Sequence, residues 1–229
     1  MYKNLKVTFN MLSPISVNET INLDTLILLV LVKEKLGDDF YIRTDNSYLN
    51  LEDAKNMLSE VLEFNQEFGV FSSSDIIKSN VKKFNINYTK KFHTKNTDII
   101  AFKDNVKERI ETGAGKFKNY QKPLFCSLYE DNNLIFYCRG NVDALKKVLD
   151  KLNFIGKKSS QGFGAIKTYS IEEIDNNYSI YKGDMLHRTI ELNSAKNKGF
   201  KNVRVGNSPL IPPYRRKEKY TCLMPRFIK

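Results

Sequence analysis

The residues best equipped for chemistry in this chain are Gly156, Lys157, Lys158, Ser159, Ser160, Gln161, Gly162, Phe163 and Gly164, a basic loop ahead of Ala165 and Ile166. Two lysines, two hydroxyls and an amide stand on a backbone loosened by three glycines, and all of these side chains donate hydrogen bonds that a phosphate oxygen accepts. The order of the surrounding elements decides which phosphates. Nucleotide-binding glycine loops run strand, loop, helix, because the helix N-terminus must face the phosphates. Here an amphipathic helix precedes the loop and a strand follows it, and no Gly-Lys-Ser/Thr follows the second glycine. Both features argue against an NTPase loop, and a nucleic-acid backbone is the better-matched ligand. A purely structural reading stands beside it, with Gly156 as the residue that ends the helix and Gly162 and Gly164 easing entry into the strand.

A second basic stretch, residues 79–92, interleaves Lys82, Lys83, Lys90 and Lys91 with Phe84, Tyr88 and Phe92. At strand spacing such residues line a single-stranded path, lysines on phosphates and rings on bases, or else form an ordinary amphipathic strand with solvated lysines. Gly113 and Gly115, followed by Lys116, Phe117, Lys118 and Tyr120, repeat the same chemistry or mark a turn. From Ala195 onward ten lysines and arginines, Arg215 and Arg216 among them, face Glu218 as the one acid.

The available acid–base groups are two histidines beside many tyrosines and lysines. The two histidines, His93 and His187, are far apart in sequence, and neither has a neighbouring candidate to share a proton with. Metal-independent RNA cleavage needs groups to deprotonate a 2′-hydroxyl and protonate the leaving oxygen, so His93 and His187 remain the runner-up, catalytic reading. Cys126, Cys138 and Cys222 make an odd count without close spacing, which argues against a disulfide framework and a zinc site. No metal and no cofactor is expected.

A formal charge of +11 and a sequence pI near 9.4 attract polyanions. The longest apolar run, Leu26 to Val32, is hemmed in by Asp24 and Lys33 and is too short to span a bilayer. The N-terminus enters a strand directly, without a signal-peptide pattern, so a cytoplasmic protein without membrane contact is expected.

Positioning these residues falls to a small set of elements. Leu5, Val7, Phe9 and Met11 alternate with polar residues as a half-buried strand does. Asp24 is placed to cap a helix that continues to Leu36 and is closed by Gly37, and residues 51–68 carry a further helical pattern. Residues 123–129 and 134–139 read as a hairpin joined by Glu130, Asp131, Asn132 and Asn133. Asn141 or Asp143 caps a helix bearing Val142, Leu145, Val148, Leu149 and Leu152, and residues 165–171 form a last strand. Strand, helix, two strands, helix, strand is the ferredoxin-like order of an α+β domain. The expected organisation is a core of residues 1–37 and 121–175, a subdomain of residues 38–120 inserted between first helix and central hairpin, and a C-terminal extension of residues 176–229. Pro209, Pro212, Pro213 and Pro225 make that extension an extended basic arm, anchored by Leu210, Ile211, Tyr214, Tyr220 and Phe227.

The opening strand with Pro14 beyond it, residues 21–26, residues 113–120 and the loop from Ile155 to Gly164 together resemble the RAMP superfamily of CRISPR effector complexes. Within it the similarity is to the type IV subunit that caps the crRNA 5′ handle; residues 207–214 resemble that subunit's proline-rich stretch, and residues 38–100 match nothing in it. The resemblance implies a ferredoxin-like, RRM-related fold and a non-catalytic, crRNA-binding role at the foot of a ribonucleoprotein. Backbone RAMP subunits and a large subunit would be its partners, with target nucleic acid contacted indirectly through guide pairing. Transferred by position, Gly156, Lys157, Lys158, Ser159, Gln161, Gly162 and Gly164 would cradle handle phosphates, with Lys116 and Lys118 as secondary contacts. Some RAMP relatives cut RNA, so an endoribonuclease that processes CRISPR repeats stays open, as does a general RNA-binding accessory protein.

Overall fold

The structure, a computed structural model, describes residues 1–17, 21–42, 50–77, 81–91, 112–114, 118–195, 198–214 and 218–226. In chain order its elements are β1 (Lys3–Met11), α1 (Leu23–Leu36), the single turn α2 (Asp39–Ile42), α3 (Leu51–Ser59), β2 (Phe64–Asn65), β3 (Val70–Phe71), β4 (Val81–Lys90) and β5 (Tyr120–Tyr129). They continue with β6 (Asn133–Gly140), α4 (Val142–Leu149), β7 (Ile166–Glu173), β8 (Tyr181–Lys182), β9 (Met185–Leu186), β10 (Ile190–Glu191), β11 (Val203–Ser208) and β12 (Tyr220–Pro225).

The alternation in β1 does what it promises: Leu5, Val7, Phe9 and Met11 are buried and the residues between them are not. Each such side chain taken out of water contributes about 1.5–3 kcal/mol. β1 is the centre of an antiparallel sheet ordered β6-β1-β7, with Val7 opposite Phe136 on one side and Ile171 on the other. α1 is apolar on most faces and accordingly buries Leu23, Leu26, Ile27, Leu28, Val30 and Val32 in the same core as α3 and α4. Its N-cap is Asn22; Asp24, expected to cap, lies in the first turn and is fully buried for another reason. α4 is capped as expected, the Asn141 side chain accepting from the amides of Asp143 and Ala144 at 3.0 and 3.2 Å.

The expected hairpin is where sequence and structure part. A tight turn does form at residues 130–132, with Asp131 and Asn132 at positive φ, as Asx residues tolerate. Yet β5 pairs with β4, and its end bonds residue 15, with Ile15 N–H to Ser127 O at 3.0 Å and Ser127 N–H to Ile15 O at 2.8 Å. The edge of β6 is already occupied. Residues 61–77 run antiparallel to it, through Glu63 N–H to Arg139 O, Arg139 N–H to Ser72 O, Ser74 N–H to Tyr137 O and Ile77 N–H to Ile135 O, all at 2.8–2.9 Å. The helix expected over residues 51–68 ends at Ser59, because the chain turns there to make this ladder. The described chain divides into two compact units, residues 1–82 with 127–229, and residues 83–126, whereas the sequence suggested an insertion from residue 38.

The C-terminal part corrects the expected extended arm. β10, β12 and β11 form a three-stranded antiparallel sheet, and Ile180, Leu186, Ile190, Leu210 and Cys222 make a small core of their own with Phe68 and Val70. The apolar anchors outweigh the prolines because they meet each other. This sheet is tied to α1 by Arg188, fully buried, whose Nη2 lies 2.7 Å from the Asp24 carboxylate. Tyr214 completes the link, donating its hydroxyl to Asp24 at 2.9 Å and accepting from Asn22 at 2.8 Å. Cys126, Cys138 and Cys222 are all buried as single thiols, and burial pushes Cys138 up to about 12. No helix among the described residues is long and apolar enough to cross a membrane.

Candidate nucleic-acid interface

The basic glycine loop closes a short antiparallel ladder. Phe154 bridges Ala165, Ile155 N–H donates to Gly164 O at 2.8 Å, and Ile166 N–H donates to Asn153 O at 3.0 Å. α4 ends with Asp150 as its C-cap, so Gly156 does not terminate that helix. Gly156 has φ +98° and packs against the chain after β1, where an added Cβ would meet Ser16 O at 2.8 Å. Residues 12–16 hold the whole root of the loop. Lys157 N–H donates to Ser16 O at 2.8 Å, Gly164 N–H to Pro14 O at 2.9 Å, Leu12 N–H to Ala165 O at 2.8 Å, and Ala165 N–H to Ser13 Oγ at 2.9 Å.

Above this fixed base the tip turns as one 3₁₀ turn, Ser159–Gln161, flanked by Lys158 at φ +64° and Gly162 at φ +83°. Lys157, Ser159, Ser160, Gln161 and Gly162 are exposed, Lys158 and Phe163 half-buried, and Gly164 and Ile155 buried. The amides of Gln161, Gly162 and Phe163 bond back to Lys158 and Ser159 carbonyls, and those of Lys157 and Gly164 bond residues 16 and 14. These five amides are used within the protein, and the exposed side chains of Lys157, Ser159, Ser160 and Gln161 supply donors at the tip. A rigid root with a cationic, hydroxyl-bearing tip can grip anionic oxygens by charge and hydrogen bond at once. The sequence singled out the loop but not residues 12–16 as its support; Pro14 and Ser16 carried no periodic signal.

The other basic residues fall into a separate element. Lys82, Lys83, Lys90 and Lys91 lie along and just beyond β4, with Lys82, Lys83 and Lys91 exposed and Lys90 half-buried; Lys118 is exposed just before β5. In the second unit Lys90 and Lys122 stand over the Tyr120 ring at 5.9 and 5.2 Å, so cations and ring pack on one another. Phe125 is 65% exposed. Lys116, Arg215, Arg216 and His93 lie outside the described residues.

His187 is held for packing. Its Nδ1 is 2.8 Å from Tyr178 O, and its ring stacks on Tyr137 with centroids 5.8 Å apart and planes 14° from parallel. Burial lowers its pKa from 6.5, with Lys182 acting in the same direction and the Tyr178 carbonyl opposing. A depressed histidine binds fewer protons folded than unfolded, so stability is complete above the unfolded pKa of about 6.5 and falls as pH drops toward the folded value. Urea unfolding at pH 7.5 and 5.5 is expected to show a larger loss for the parent protein than for His187→Gln. Equal losses would show that His187 does not contribute to the pH dependence.

Residues 3–225 match the family described as CRISPR type IV associated protein Csf3. No curated protein matches the chain.

Proposed function

The chain belongs to the family of CRISPR type IV associated protein Csf3, and from that premise we propose that it is the non-catalytic subunit of a type IV ribonucleoprotein that grips and caps the 5′ handle of the crRNA and contacts a backbone subunit. One observation carries this reading: the glycine loop combines a root locked by residues 12–16 with an exposed tip of Lys157, Ser159, Ser160 and Gln161. Such a tip recognises the sugar-phosphate trace of a single strand, leaving sequence reading to guide pairing. The net charge of +11 supports a polyanionic partner. The sheet order β6-β1-β7, with helices α1 and α4 and residues 61–77 on the outer side of β6, suits a ferredoxin-like RAMP core in which that segment takes the place of the fourth strand. His187, occupied by a main-chain carbonyl and a stacked tyrosine, favours binding over cleavage.

The test is binding of single-stranded handle RNA to the full chain as a function of salt. Lys157→Glu with Lys158→Glu is expected to weaken binding tenfold or more and to flatten the logarithmic salt slope by about 1.4, since each single-strand phosphate contact carries about 0.7. Unchanged affinity and slope would refute the loop as the grip. RNA recovered with the native protein is expected to share one repeat-derived 5′ end; a mixed population would favour a general RNA-binding role. Cleavage of repeat RNA that is lost in His187→Ala would make the protein a processing nuclease instead.

A further inference from the structure

At the root of the loop two large apolar side chains, Leu12 and Phe154, face solvent on either side of Ala165, outside the hydrophobic core. Leu12 is 67% exposed and Phe154 40% exposed. The antiparallel register that sets Met11 opposite Ile166 continues to place Leu12 opposite Ala165, and Ala165 bridges Phe154 on its other side. Cross-strand partners share a face, so Leu12, Ala165 and Phe154 stand in one row, while Met11, Ile155 and Gly164 beside them point inward and are buried. Asn10, Asn133 and Thr168 continue that face as half-exposed or exposed polar residues, with Asn10 paired to Thr168 and its side-chain amide 3.1 Å from Asn133 Oδ1.

We infer that Leu12 and Phe154 form a shelf on which one unpaired RNA base stacks while the adjacent glycine loop holds the neighbouring phosphate. The inference rests on the loop reading given above. Phe154 precedes Lys157 by only three residues, so an apolar surface suited to a flat ring sits beside cationic donors suited to the backbone that carries it. A protein partner is the weaker match. Two side chains and a methyl group present an area of the size of a base, far below the roughly 800 Å² per partner of a stable protein interface. Asn10 and Thr168 then offer amide and hydroxyl groups to the edge of the stacked base.

The experiment titrates the full chain with a single-stranded handle RNA carrying 2-aminopurine in place of one adenine, moved along the strand. One position is expected to show fluorescence quenching on binding, as a stacked 2-aminopurine does. Phe154→Ala is expected to abolish that quenching and weaken affinity about fivefold to 100-fold, with the salt slope unchanged because no phosphate contact is lost. Phe154→Tyr should bind like the parent. If Phe154→Ala lowers the thermal midpoint, Leu12→Thr carries the test, with quenching and affinity reduced at an unchanged slope. The shelf is overturned if Phe154→Ala binds and quenches normally while Lys157→Glu with Lys158→Glu weakens binding, which leaves the loop reading standing. It is also overturned if Phe154→Tyr loses as much as Phe154→Ala, or if only addition of a protein partner distinguishes the variants. Unchanged binding in the lysine variant as well would remove the loop reading together with the shelf.

Discussion

Arg188→Ala is expected to destabilise the protein by about 3–5 kcal/mol, the cost of leaving a buried charge without its partner. Few single changes reach that size, and it is a large share of the 5–15 kcal/mol that separates folded from unfolded chains. The guanidinium is fully buried, as is Asp24. Its Nη1 donates to Ser73 O at 2.9 Å and Ser73 Oγ at 2.7 Å, and its Nη2 to Asp24 at 2.7 Å, Leu210 O at 3.2 Å and the Tyr214 hydroxyl at 2.9 Å. One side chain thus joins the start of α1, the segment along β6 and the C-terminal sheet. Burial opposes its charge, yet the Asp24 carboxylate and the neighbouring Tyr214 raise its pKa above the ordinary arginine value. Burial likewise raises Tyr214 well above 10, so the hydroxyl stays a donor at any working pH. Urea unfolding checks the expectation: Arg188→Ala should move the midpoint far down, while Arg188→Met combined with Asp24→Leu should recover much of the loss, since no charge is then stranded. A loss below about 1 kcal/mol for Arg188→Ala would show that water reaches the site and that the link is dispensable.

None of this network was legible in the sequence, and the reason is physical. Arg188 and Asp24 are 164 positions apart; Asp24 reads as a helix cap, and nothing in the sequence singles out Arg188. Ser72, Ser73, Ser74 and Asp75 carry no apolar pattern, yet all four are buried: their amides donate to the carbonyls of Glu63, Phe71, Tyr137 and His187, Ser74 Oγ accepts from Tyr137 N–H at 2.9 Å, and Ser73 accepts from the guanidinium. Periodicity assigns a strand only where one face is apolar, so a polar segment completing a sheet edge escapes it. Proximity in sequence then promoted β5 to the vacant place beside β6. What was legible was local. The alternation of residues 5–11 marked β1, residues 134–139 and 165–171 were readable as strands, Asn141 gave the start of α4, and the density of glycine, lysine and serine after it marked the loop. The support supplied by residues 12–16 is made almost wholly of main-chain bonds, which side-chain identity does not announce.

Gly164→Ala is expected to disable the candidate interface outright, whereas Gly162→Ala, two residues away, is expected to leave it working. Both glycines have positive φ, +71° and +83°, where an added Cβ costs about 1–2 kcal/mol for any L residue. Their surroundings differ. A Cβ on Gly162 meets nothing within 4 Å, but one on Gly164 would stand 1.9 Å from Ile155 O and 2.9 Å from Ile155 C. Main-chain atoms cannot swing aside as the end of a side chain can, and Ile155 is fully buried with its own N–H bonded to Gly164 O at 2.8 Å. The methyl group therefore has to open the ladder at its root. The bonds from Gly164 to Pro14 and from Lys157 to Ser16 then have no fixed partner, and Lys157 and Lys158 lose their aim together. Gly164→Ala should cost more than about 2 kcal/mol in urea unfolding and reduce single-stranded RNA binding to the level of the lysine double variant. Gly162→Ala should cost about 1 kcal/mol and hold affinity within a few-fold. Because the two substitutions are chemically identical, equal effects on binding would mean that the locked root is not what gives the loop its grip.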